Sequence, residues 1–186
     1  MAELDISKLR VDAAKHSNWN IGFFAAGLLF WIFVGITGNI FSLESARIYW
    51  LVGTFFIFPL AVLISKIFNA DPFMKGNILG ELVGYTHMSV ITLSFPIVLV
   101  TLLYFPEALI LVMAITYCLD FFVMSWAYDT PLFGIHAAFR TIVVTIIFFA
   151  VPSWRLSILP AFVAFCYLLT VILIPMLRKK WVVKHQ

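Results

Sequence analysis

The chain has 186 residues, of which 63% are hydrophobic and only 11% charged, against roughly 25% charged in ordinary soluble domains. A water-soluble fold of this length could not hide so much apolar surface, because its outer shell must be largely polar. What remains is an all-α integral membrane bundle, a single polytopic domain over residues 1–186. The formal charge of +3 follows the positive-inside pattern of loop lysines and arginines. No basic stretch alternates with aromatic residues as a base-stacking surface requires, so nucleic acid is not an expected partner.

In chain order, residues 3–16 come first, mixing Glu3, Asp5, Lys8, Arg10, Asp12 and Lys15 with Leu4, Leu9 and Val11. That amphipathic pattern suits the inner leaflet. The apolar run that follows exceeds the core of a cleavable signal, about 7–15 residues, and is expected to stay as the first span. Six runs near 20–41, 48–68, 78–104, 107–127, 131–151 and 156–177 match the ~20 residues a spanning helix needs. Thr37-Gly38-Asn39, Asn69-Ala70-Asp71-Pro72, Phe105-Pro106-Glu107, Asp129-Thr130-Pro131 and Val151-Pro152-Ser153-Trp154-Arg155 punctuate them. Pro59, Pro96, Pro160 and Pro175 fall inside the runs, where each removes a backbone donor and favours a kink.

Basic residues divide unevenly. Lys8, Arg10, Lys15, Lys66, Lys75, Arg178, Lys179, Lys180 and Lys184 fall on one side, and Arg47 and Arg155 on the other. This places both termini in the cytoplasm, which six spans permit. Arg178-Lys179-Lys180-Trp181 reads as an interfacial anchor. Cys118 and Cys166 sit in apolar runs without a C-x-x-C motif and read as small hydrophobes. Neither a metal nor a cofactor is expected.

The informative residues are ionisable groups inside the spans: Glu81 and His87 in the third, Asp120 in the fourth, His136 and Arg140 in the fifth. Each costs roughly 2.5–3.5 kcal/mol at mid-helix, so each should turn inward and find a partner. At 1.5 Å per residue all five fall in the cytoplasmic half, from ~6 Å deep for Glu81 to ~15 Å for His87. Asp120 and Arg140 stand equidistant from Thr130, and adjacent antiparallel helices would bring them to one depth. A buried Asp120–Arg140 ion pair is therefore expected. On the fourth span Met113, Thr116, Tyr117, Asp120 and Met124 share a stripe, and on the third Gly80 and Gly84 suit close helix approach. Tyr85, Tyr117 and Tyr128 add hydroxyls.

Two readings follow. Glu81, His87, Asp120, His136, Arg140 and Tyr117 form either a cytoplasm-open polar pocket that binds a small solute or handles protons, or a network that orients the helices. A small transporter or solute-binding protein is the function so implied, with membrane lipids around it and, by analogy with other small transporters, a homo-oligomeric state. The alternatives are a membrane enzyme acting on lipid through Glu81, His136 or Asp129, and a non-catalytic assembly protein. Against catalysis, the sequence has no G-x-S-x-G, H-E-x-x-H or glycine-rich phosphate loop.

Several stretches carry a resemblance: Leu9-Arg10; Ala26-Gly27, Phe30-Trp31 and Gly35-Ile36; Phe58-Pro59-Leu60 with Leu63 and Ser65-Lys66; Phe95-Pro96-Ile97; Tyr104 with Pro106; Trp126 with Tyr128. Together they resemble an uncharacterised bacterial family of small multi-span membrane proteins known only as a domain of unknown function. The resemblance implies a bacterial inner-membrane protein and lends it no activity.

Overall fold

The computed structural model describes residues 5–184, so Glu3 and Leu4 of the amphipathic stretch lie outside the described residues. Six helical segments are long and apolar enough to cross a membrane. The first and second are α2 (Ile21–Ile40) and α3 (Leu43–Ile67). The third is α4 (Ile78–Tyr104), and the fourth is split into α5 (Leu109–Thr116) and α6 (Phe121–Ala127). The last two are α7 (Leu132–Ala150) and α8 (Arg155–Lys184). No strand occurs among the described residues. Large apolar side chains such as Phe55, Leu93, Leu103 and Phe149 lie more than 60% exposed around the outside, a surface that only hydrocarbon solvates without cost.

α2 is the central staff, packed along α3 on one side and α8 on the other. Its glycines make this possible. A Cβ on Gly22 would sit 2.7 Å from the Ala61 carbonyl oxygen of α3, and one on Gly27 would sit 2.5 Å from the Tyr167 ring of α8. The expected close approach at Gly80 and Gly84 takes another form. Gly80 receives the Met74 side chain, and Gly84 has nothing within 4 Å of where a Cβ would stand. Close helix contact through glycine is thus found along the first span, and again at Gly134 of α7, where a Cβ would sit 3.2 Å from the Ser125 hydroxyl of α6.

The amphipathic segment forms α1 (Ile6–His16), capped by Asp5, whose side chain accepts from the Lys8 amide. Lys8 also holds the Asp5 carboxyl below its ordinary range, chiefly through a hydrogen bond from its side chain. α1 is pinned across the end of the bundle. Asn77 Nδ2 donates to the Leu9 carbonyl (2.9 Å) and to Asp12 (2.7 Å). Arg10 donates to the Trp126 carbonyl (2.9 Å), stacks on the Trp126 ring and lies 3.6 Å from Asp129. Arg178 donates to the Ala14 carbonyl (3.2 Å), giving the basic end of α8 a bond within the fold.

Between α1 and α2 the chain makes a left-handed turn, with φ of 50°, 53° and 55° at Asn18, Trp19 and Asn20. Such a conformation costs L-residues roughly 1–2 kcal/mol each. Burial of Trp19, 1% exposed among Tyr128, Phe133 and Trp181, supplies the compensation. At the opposite end of the bundle Arg155 pairs with Glu107 and stacks on Phe148, while Trp50 donates to the Thr37 hydroxyl (2.8 Å).

Candidate functional site

The fourth span breaks at Tyr117–Asp120, between α5 and α6. The break contains neither proline nor glycine. Amides of Cys118, Leu119 and Phe121 bond carbonyls three residues back, at 3.1–3.3 Å, so the chain tightens into 3₁₀-like turns. Stretches of this kind within a helix often mark functional points, and irregular backbone at membrane depth is tolerated where it is buried or lines a cavity.

Asp120, 2% exposed, leaves this break towards α4 and accepts a 2.7 Å hydrogen bond from His87 Nδ1. With Asp120 as a carboxylate, which only accepts, Nδ1–H is the donor and Nε2 lies outside this hydrogen bond. The expected Asp120–Arg140 pair is therefore corrected: His87 is the partner of Asp120. The equidistance argument assumes two regular helices, and the turns at Tyr117–Asp120 reset the helical phase before the carboxylate.

Arg140 is 0% exposed and lies against the rings of Phe121 (5.5 Å) and Tyr167 (5.2 Å), which touch each other. The Tyr167 hydroxyl and the Cys118 thiol lie beside it, but none of its three nitrogens makes a well-formed hydrogen bond among the described residues. Cation–π attraction is worth about 2 kcal/mol when desolvated, which offsets only part of the cost of burying the guanidinium. His136, one turn away, meets the Thr170 hydroxyl at 2.7 Å, and Thr170 donates in turn to the Cys166 carbonyl. His136 Nδ1 must therefore be the donor, and Nε2 is left without a partner among the described residues.

The predicted residues thus separate into two sets. Glu81, His87, Tyr117 and Asp120 line a cavity of about 350 Å³ enclosed by α2, α3, α4 and the broken span. His136 and Arg140 are absent from its lining and pack behind Phe121 and Tyr167, which form one of its walls. Glu81 is exposed and accepts from the Gly76 amide (3.3 Å). Tyr117 shares a 3.2 Å hydrogen bond with Thr54. Tyr128, by contrast, bonds Ser17 beneath α1, and Tyr85 is 72% exposed on the cavity rim.

The walls are mainly aromatic. Phe73, Phe58, Phe23 and His87 follow one another with ring centroids 6.3, 5.9 and 5.4 Å apart. Phe58, Tyr85 and Met88 are exposed wall residues on α3 and α4. These two helices meet through the Phe55–Phe95 ring pair (6.2 Å) and do not pack along each other, so the cavity reaches the surface between them. Gly84 leaves room at this rim.

Sequence reasoning missed Asn20. It lines the cavity, is 7% exposed, and its Oδ1 has no donor among the described residues. An asparagine just ahead of an apolar run reads as a helix cap. Only the left-handed φ of 55° marks it as different, and periodicity carries no trace of that.

No curated protein and no solved structure matches the chain. One family model does, over residues 6–176, nearly the whole of the bundle just described. The chain accordingly belongs to that family, a family of unknown function (DUF7010).

Proposed function

We propose that this protein is a solute-binding membrane protein of the bacterial plasma membrane, and that its cavity holds an amphipathic molecule. The observation that carries this reading is the pairing of a 350 Å³ aromatic cavity with a buried carboxylate–imidazole pair in its lining. Ligand sites are typically apolar concavities of about 300–1,000 Å³ with a few fixed polar groups. The opening between α3 and α4 suits a solute that arrives through the bilayer, and transport is the activity such binding would serve.

Trp31 lines the cavity at 1% exposure and supplies a readout. Amphipathic solutes with cationic, anionic and neutral heads should include at least one that shifts the emission of the detergent-purified chain saturably. Gly84→Leu, which fills open space at the rim, should weaken that response, and Trp31→Phe should remove it. If no solute gives a saturable change, or neither substitution alters it, the cavity is not a binding site.

A lipid-modifying enzyme is the second reading, favoured by the His87–Asp120 hydrogen bond, which has the form of a base held by its orienting carboxylate. Of the earlier candidates Glu81 lines the cavity, whereas His136 lies behind its wall and Asp129 lies against Arg10. Recovery of the bound solute chemically altered would decide for the enzyme.

A further inference from the structure

We propose that the solute is a lipophilic organic cation. This inference rests on the cavity reading above and adds the charge of its occupant. Of the described residues lining the cavity, none is Lys or Arg, while two are carboxylates, Glu81 and Asp120. Asp120 is met by His87, whereas no cationic side chain among the described residues forms an ion pair with Glu81. Glu81 and Asp120 are both acceptors, so the missing half of the site is a positive charge or a donor.

The aromatic lining points the same way. Ring faces attract cations, and aromatic enclosures recognise quaternary ammonium groups. The sequence of rings Phe73, Phe58, Phe23 and His87 joins the rim near Glu81 to the pair at Asp120. The cation–π contacts of the protein's own arginines fall on other rings, those of Phe121, Tyr167, Trp126 and Phe148. Arg140, set behind Phe121 and Tyr167, repels a cation from that wall. The occupant is thereby directed to the part of the cavity between Glu81 and the His87–Asp120 pair.

Tetraphenylphosphonium and tetraphenylborate test this, because the two ions have nearly the same size and shape and opposite charge. Equilibrium dialysis of the purified full chain in non-ionic detergent, with micelle blanks subtracted, should give saturable binding of the phosphonium about tenfold or more tighter than that of the borate. Asp120→Asn should weaken phosphonium binding by a similar factor. Because that substitution alters a buried pair, Glu81→Gln on an exposed side chain provides a second variant, with an expected loss of about threefold or more. Borate binding as tight as phosphonium binding, or phosphonium binding indifferent to both substitutions, overturns the cation. If borate binds saturably and Gly84→Leu blocks it, the cavity reading survives that failure. If neither ion binds saturably and no neutral amphiphile does, both readings fall together.

Discussion

A carboxylate surrounded by hydrocarbon needs a donor, and Asp120 finds one in His87 at 2.7 Å. The guanidinium of Arg140 receives ring faces in place of an anion. The two residues should therefore be energetically separate. Double-mutant cycles on unfolding in detergent should give a coupling of roughly 0.5–3 kcal/mol for His87→Ala with Asp120→Ala, and close to zero for Asp120→Ala with Arg140→Ala. The reverse result would restore the ion pair that spacing suggests. At this scale the sequence shows which residues must avoid lipid, since the charge and polarity of a side chain are set by its type. It does not show which of them meet, because Asp120 turns on three backbone hydrogen bonds in a segment whose composition reads as uninterrupted helix.

Among the elements, Asn77 does the work of a joint. Its Oδ1 accepts from the Leu79 and Gly80 amides to start α4, and its Nδ2 holds α1 through Leu9 and Asp12. Asn77→Ala should cost about 1–2 kcal/mol as a lost helix cap. It should also raise amide hydrogen exchange across Ile6–His16 more than across α2. Uniform exchange in both helices would show that α1 is held by its other contacts. The apolar helices were legible because run length and turn residues are local properties. Their partners were not: α2 is central because Gly22 and Gly27 face Ala61 and Tyr167, and which glycine meets a neighbour is decided far away in sequence. Gly80 and Gly84 have the same spacing as many contact motifs, yet one accepts a methionine and the other faces open space.

For the molecule as a whole, six helical segments long enough to cross a membrane bring both ends to one end of the bundle, and the ring contact of Trp19 with Trp181 joins those ends directly. From the distribution of loop arginines and lysines we propose that this face is cytoplasmic. A fluorescent protein that matures only in the cytoplasm should glow when fused after Gln186. Alkaline phosphatase inserted at Glu107 should be active, and phosphatase activity at the C-terminus would invert the orientation. The cavity lies in the half of the bundle nearer the termini, between Glu81 and the break in the fourth span.

The left-handed turn at Asn18–Asn20 has a temporal side. Its compensation comes from Phe133 and Trp181, on α7 and α8, segments that a ribosome delivers long after the turn itself. Until they are inserted, nothing repays the mirror-image backbone, and those three residues would relax to ordinary angles. A turn synthesised well before α7 and α8 is thus among the last parts to reach its final shape, and Asn20 takes its place in the cavity only when the bundle is complete.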